Sequence, residues 1–389
     1  MDAQVKTAPA TGMVEVKPVT TDKERTAFIR VGVIPYKDDP NFVTPLEFEV
    51  SQRLNPKLNP GLKDAPHQLW IAYRNGEPVG RISAIINPLH LAQHKDEIAH
   101  FGFLEALDDP EVFAALFKTA EDWARARGMK KIGGPFSFSV NEEIGLLISG
   151  FDTPPYVMMP HGRPYYQASV EALGYTKAQD VHALDWINKR NFLPERRKQF
   201  VERTLDNPKV SIRTIDMKDF VGDIRRIVDI YNDAWSDNWG FIPFTEELAK
   251  HMASELRPII EKHNVVICYY DGEPAAFALV LPNINEATRD LNGKLLPFNW
   301  AKLIWRMKVK GLSTARMPLM GIRKKFQRKG LGAAFAYKMI ELTNNENMDR
   351  GLTHSEVSWI LESNEGMLSI LLDMGCRIYK TYRLYEKTL

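Results

Sequence analysis

Apolar and polar residues alternate with a period of two in two stretches that mirror one another. Residues 69–74 and 78–86 flank Asn75 and Gly76, and residues 265–270 and 275–281 flank Asp271 and Gly272. Asn-Gly and Asp-Gly pairs between alternating runs predict hairpins with type I′ turns, whose two central residues need positive φ. Elsewhere the period lengthens to that of a helix. Residues 110–127 place Phe113, Leu116, Phe117, Ala120, Trp123 and Ala124 on one face, and 220–235 reads as a second helix. Strands are expected at 99–105, 130–133 and 211–215, and a helix over 168–173 stopped by Gly174. Toward the C-terminus, 317–322 is an apolar strand and 354–361 alternates. Residues 367–374 then read as a helix ended by Gly375, and 377–386 alternates again.

At 389 residues the chain exceeds the usual single core, so two domains are expected. An apolar fraction of 44% is ample for both. A net charge of +2 exerts no global pull on nucleic acid, so any basic surface is local. The two cysteines, Cys268 and Cys376, suit burial in a reducing compartment rather than a disulfide framework. No Cys/His cluster has metal-ligand spacing, so no metal is expected. The first twenty residues lack an apolar core and no run of 18 apolar residues occurs, which points away from secretion and membrane spanning. Residues 1–13 read as a loose tail.

The strand at 317–322 runs into a basic turn that opens a helix. Gln327, Arg328, Gly330 and Gly332 form a Q/R-x-x-G-x-G/A element, with Lys324, Lys325 and Lys329 around it. Backbone N–H groups of such a turn can converge on a phosphate at a helix N-terminus. Taken alone the pattern fits an ordinary basic helix start equally well. The order that follows (strand, phosphate turn, helix, strand, Asn364-led helix, glycine, strand) resembles the GNAT acyltransferases over about 210–389. That resemblance implies an α/β (α+β) fold, a mixed, mostly antiparallel sheet flanked by helices. It also implies coenzyme A thioester as co-substrate, bound along Met320, Gly321, Ile322, Gln327, Arg328, Lys329, Gly330, Leu331, Gly332 and Asn364.

Residues 14–190 read as a second copy of the same fold, since their hairpin parallels the later one step for step. Between strand and helix, however, stand Glu105, Asp108 and Asp109, with no glycine pair. Carboxylates there would repel a pyrophosphate, so the first copy is expected to lack the phosphate loop; an unrelated α/β domain is the alternative. The expected organisation is thus 14–190, a linker over 191–209, and a catalytic domain over 210–389 interrupted by an insertion at 282–315.

Tandem GNAT folds with one working site place the acceptor where the halves meet. Trp235, Asn238, Trp239, Phe241 and Phe244 make the loop after the helix at 220–235 aromatic, with Asp237 its carboxylate. His161, Tyr165 and Tyr166 lie in a Gly/Pro-rich stretch of the first half. Each set could equally pack the core. Within the insertion, Leu296, Trp300, Leu303, Ile304 and Met307 share one helical face and Lys302, Arg306 and Lys310 another. That pattern suits an interfacial helix at 294–310 or a lid over an acyl channel. The expected setting is cytoplasmic, with peripheral contact at the inner face of the membrane under the first of these readings.

The family moves an acyl group directly from thioester to amine, so a base must take the amine's proton. Asp237, Glu362 and Glu356 are the candidates. Where the family carries a tyrosine that protonates the departing sulfur, this chain has Leu371, leaving Tyr382 or Tyr385 as substitute acids. The runs Gly134 to Ser137, Asn141 to Gly145, Gly150 to Pro155 and Trp235 to Phe241 further resemble the bacterial tandem GNAT group that includes the ceramide synthases. This implies fatty acyl transfer to a sphingoid base. An acetyltransferase acting on a small amine or a protein, and a non-catalytic acyl-CoA-binding regulator, remain open alternatives.

Overall fold

The computed structural model describes residues 12–389, so the tail expected over 1–13 lies almost wholly outside the described residues. The first half supplies strands β1 (Val14–Pro18), β2 (His67–Arg74), β3 (Glu77–Ile85), β4 (Ile98–Ala106) and β5 (Lys131–Gly134). Short β6 (Phe136–Ser137), β7 (Glu143–Ile144) and β8 (Leu146–Ser149) precede the long β9 (Thr176–Ile187). Its helices are α1 (Asp22–Val31), α2 (Glu47–Arg53), α3 (Pro88–His94), α4 (Pro110–Arg125) and α5 (Tyr165–Ala172). The stretch expected as a linker folds mostly into α6 (Glu195–Leu205).

The second half repeats the order with β10 (Val210–Thr214), α7 (Phe220–Ala234), α8 (Glu246–Leu256), β11 (Val265–Tyr270) and β12 (Glu273–Pro282). The insertion carries α9 (Ile284–Thr288) and α10 (Asn299–Trp305). Then come β13 (Thr314–Ile322), α11 (Gly330–Met348), β14 (His354–Leu361), α12 (Glu365–Asp373) and β15 (Arg377–Thr388). Both hairpin turns have the positive φ pair their sequence demands: Asn75 at 52° and Gly76 at 82°, Asp271 at 54° and Gly272 at 80°.

The halves share one mixed sheet in the order β1-β2-β3-β4-β5-β15-β9-β14-β13-β12-β11-β10. The last strand of each half crosses to the other side of the join. β15 pairs antiparallel with β5 of the first half, and β9 pairs antiparallel with β14 of the second. β9 and β15 also pair with each other. The helices lie on the sheet through the faces their periodicity set. Val112, Phe113, Leu116 and Phe117 of α4 are buried against β3 and β4 in one core, and Ile224, Ile227 and Ile230 of α7 against β11 and β12 in another. Each such side chain contributes roughly 1.5–3 kcal/mol by leaving water.

The two copies differ where parallel strands part. β13 and β14 are paired from Thr314 and His354 only as far as Met317 and Val357. The next residue, Pro318, has no N–H to donate, and beyond it the strands diverge. β4 and β5 also part, after His100 and Gly133, but their opening is filled. A Cβ on Gly102 would stand 1.6 Å from the Phe136 carbonyl oxygen, so only glycine lets this backbone plug the gap. The N-terminus of α4 is likewise closed: Asp109 caps the Glu111 N–H, and both carboxylates bond Arg74. Between β13 and β14 no such plug stands among the described residues, and the parting strands border a cavity.

Candidate active site

The turn before α11 has the features of a phosphate cradle. Arg328 adopts left-handed φ, 58°, Lys329 is extended, and no side chain caps the helix. The first-turn N–H groups therefore lack the side-chain acceptor that most helices supply. Gly332 is required by close approach, since a Cβ there would lie 2.4 Å from the Phe326 carbonyl oxygen. Gln327 does not reach outward. Its amide bonds the Ile322 and Ala234 carbonyls at 2.8 and 3.2 Å and latches the turn to α7. Lys324 and Lys325 are paired with Asp237 and Glu273, both at 2.6 Å. Arg328 and Lys329 are exposed, with no carboxylate partner among the described residues, and remain available to an anion.

On the other side of the diverging strands lies a cavity of about 1260 Å³. Met317, Pro318, Met320, Ser358, Leu361 and Asn364 line it from the second half, Asn364 also capping α12 through the Met367 N–H. Gly321 and Ile322 are not among its lining residues; they pair with Phe277 and Ala276 of β12. Trp235, Asn238, Trp239, Phe241 and Phe244 form one wall. From the first half come Glu105, Glu142, Glu143, His161 and Tyr166. The halves are locked together beside it: the Tyr231 hydroxyl donates to Asn141 Oδ1 at 2.6 Å, and Phe136 stacks on Trp239 at 6.4 Å.

None of the five expected catalytic groups lines the cavity. Asp237 is 82% exposed and tied to Lys324. Glu362 is held by Lys177 at 2.7 Å and by the Asp180 N–H, and Lys177 keeps its carboxyl below the usual range. Glu356 is fully buried beneath the cavity, bonded by Ser358 and Tyr379 and facing Arg316, so it cannot meet the amine. Tyr385 lies in the first core and bonds Glu171 at 3.0 Å. Tyr382 is fully buried, and so is Leu371, which turns into the core rather than toward the cleft. Tyr165 is absent from the cavity wall, its hydroxyl donating to the Ala106 carbonyl at 2.7 Å.

Other groups are brought together that the linear reading passed over. Glu105, taken as one of the acids that repel phosphate, turns inward. It accepts from the Tyr36 and Tyr166 hydroxyls at 2.6 and 2.7 Å, and burial, offset by Arg81, pushes its carboxyl up to about 7. Glu142 is also pushed up to about 7 by burial, which Arg53 offsets. His161 is 2% exposed; its Nε2 bonds Asp39 at 3.0 Å, its Nδ1 has no partner, and burial lowers its basicity. The only sequence signal for Glu142 was its place in an Asn-Glu-Glu run inside a Gly/Pro-rich loop. Asp39 and Arg53, far upstream, gave none. Carboxylates that ionise near neutrality in a closed site are suited to proton transfer.

No family model matches the chain. It is 45% identical over 375 residues to the bacterial ceramide synthase of Caulobacter vibrioides (strain NA1000 / CB15N), covering 96% of this chain and 97% of that one. It is 44% identical over 374 residues to protein YghO of Escherichia coli (strain K12), covering 96% and 95%. Among solved structures, a tandem GNAT protein from the clavulanic acid biosynthesis pathway superposes with a TM-score of 0.55 at 12% identity, over 96% of this chain and 98% of that one. A GCN5-related N-acetyltransferase from Sphaerobacter thermophilus gives 0.55 at 12% identity, over 96% and 95%. With its uncapped basic turn beside a cleft between parting strands, the chain belongs to the tandem GNAT acyltransferases, in the family of the bacterial ceramide synthase, and is an acyl-CoA-dependent N-acyltransferase.

Proposed function

We propose that the enzyme moves a fatty acyl group from coenzyme A to the amine of a long-chain acceptor, a sphingoid base, to give a ceramide. The observation that carries this reading is the size and lining of the cavity. At about 1260 Å³ it exceeds the 300–1,000 Å³ or so of ordinary small-molecule sites. It joins the thioester-side strands to an apolar region of Leu46, Phe48, Leu248, Met252, Leu256 and Leu295. An acetyl group and a polar amine need far less room. The name of the Caulobacter relative points the same way.

In this reading the diphosphate lies on the Arg328–Gly332 turn and pantetheine enters between β13 and β14. Main-chain N–H groups of β13 past Pro318, freed from β14, hold the developing oxyanion. The amine nitrogen attacks the thioester carbon and gives its proton to a carboxylate or histidine of the cavity; the carbon–sulfur bond then breaks, and the departing thiolate takes up a proton from that group or from solvent to leave as coenzyme A thiol.

The insertion supports delivery from a lipid surface. Leu296, Phe298, Trp300, Ile304, Trp305 and Val309 are all exposed, from 49% to 78%, beside Leu295 at the cavity. Lys302 and Arg306, expected as a free basic stripe, are both bonded to Asp290, so the apolar side chains carry the contact. No described helix is long and apolar enough to cross a membrane.

The test is release of free thiol from purified protein with palmitoyl-CoA and sphinganine, against acetyl-CoA and a polyamine. Turnover of the first pair supports the reading. Turnover of the second alone rejects it.

A further inference from the structure

The polar end of the cavity holds more carboxylates than the transfer of one proton requires, and all but one are matched. Asp39, which stands behind the lining residue His161, is bonded by His161 and Arg163 at 3.0 and 3.2 Å. Glu105 takes two tyrosine hydroxyls. Arg53 binds Glu143 at 2.9 Å and Glu49 at 3.0 Å, and Glu255 lies 3.3 Å from His251. Glu142 differs. A backbone hydrogen bond from Phe138 reaches its carboxylate, but Oε2 is shielded from solvent and has no donor at all. A buried ionised oxygen without a donor is costly to keep. A ligand that brings N–H groups and positive charge removes that cost.

The place of Glu142 in the fold fits such a ligand. It follows Asn141, which is pinned to Tyr231 of α7 and to the Ile242 carbonyl. Its loop therefore abuts the aromatic wall of Trp235 and Trp239, on the cleft side of the second half. The apolar wall of α2 and α8 provides room for a chain attached to the cation.

We infer that Glu142 is the subsite for the cationic nitrogen of the acceptor, so that the cavity selects long-chain ammonium compounds over neutral lipids of the same length. This rests on the reading that the cavity receives a long-chain acceptor. The charged groups facing Glu142 are Arg53 from α2, Glu143 from its own loop, and His251 and Glu255 from α8. Arg53 is already shared by Glu49 and Glu143, so a ligand cation meets net negative charge.

The experiment is calorimetric titration of the full chain with dodecylamine, dodecyltrimethylammonium and dodecanol at pH 7.5. Wild type is expected to bind both cations at least tenfold more tightly than the alcohol. Glu142→Gln, close in shape, should lose that tenfold preference while its affinity for dodecanol and for coenzyme A stays unchanged. Should the variant fail to fold, wild type alone decides. Its affinity for dodecyltrimethylammonium, whose charge is fixed, should rise between pH 6 and 8 as Glu142 ionises, and that for dodecanol should not. Equal affinity of wild type for alcohol and cation, or an undiminished preference in Glu142→Gln, overturns the assignment. Thiol release with palmitoyl-CoA and sphinganine reports separately on the acyl-transfer reading, so either can fail without the other.

Discussion

Arg316 and Glu356 face each other across β13 and β14 as register partners, both fully buried, with Nε and Oε1 3.6 Å apart. Ser358 bridges them, accepting from Arg316 at 2.8 Å and donating to Glu356 at 2.7 Å. The guanidinium also donates to the Val157 carbonyl of the first half at 3.0 Å. This pair thus sits one residue before the strands part and ties the two halves together below the cleft. Replacing Glu356 by Ala leaves a buried cation unmatched and should cost about 3–5 kcal/mol of stability. Changing Arg316 to Met as well should recover much of that loss. Urea unfolding midpoints measure both, and an unchanged midpoint in the single variant would refute the structural role.

The turn proposed to hold the diphosphate makes its own demands. Gly332→Ala sets a methyl group 2.4 Å from the Phe326 carbonyl oxygen, so the turn must shift and coenzyme A affinity should fall about tenfold, 1.4 kcal/mol. At Gly330 a Cβ meets only the Phe200 ring at 3.5 Å, an ordinary contact. Gly330→Ala should therefore fold and bind, whereas Gly330→Asp adds a repelling carboxylate and should abolish binding. Calorimetry with coenzyme A distinguishes the three. Equal affinities for Ala and Asp would remove the diphosphate from this turn.

The membrane contact proposed for 294–310 rests mainly on apolar side chains, because Asp290 pairs with both Lys302 and Arg306 and offsets one of their two charges. Trp300→Ser, Ile304→Ser and Trp305→Ser together should lower the fraction sedimenting with anionic vesicles, each buried side chain being worth about 1.5–3 kcal/mol. Glutamate at 302 and 306 alone should have a smaller effect. If only the charge changes matter, electrostatics hold the helix on the surface.

Leu371→Tyr, which restores the residue the family carries, should not raise turnover. Leu371 is fully buried among Leu184, Trp186 and Met374, and a larger ring there overpacks the core by about 1–3 kcal/mol. A lower melting temperature with no gain in kcat is the expected result. A gain would show that α12 can turn to present this position to the cleft.

Stability should depend on pH through Glu142. Burial raises its carboxyl from 4.5 to about 7 in the folded chain, so between those values the folded state binds more protons than the unfolded one. Wild-type stability from this group accordingly falls as pH rises from 4.5 to 7, and Glu142→Gln is spared that loss. The melting temperature of the variant relative to wild type should be higher at pH 8 than at pH 5. A difference constant with pH would mean that the carboxyl titrates normally.

The repeated hairpins, the basic glycine turn and the Asn364-led helix were legible because neighbours along the chain specify them. Asn75 with Gly76 needs only its own φ angles, and α4 only its 3.6-residue stripe. Glu105 was misread for the same reason. Its place after a strand suggested the mouth of a phosphate site, while its side chain answers to Tyr36 and Tyr166, 69 and 61 residues away. Glu362 looked available at a strand end until Lys177 of β9, 185 residues distant, was brought against it.

The sequence by itself determined the local elements and the basic glycine turn at Arg328 to Gly332, since each is settled by backbone preference within a few residues. Only the tertiary structure decided the exchange of β9 and β15, the joining of the halves into one sheet, and the gathering of Arg53, Glu105, Glu142 and His161 around one cavity. Strand partners and buried ionisable groups are chosen by desolvation and hydrogen bonding between distant segments. No periodicity along the chain records which of them will meet.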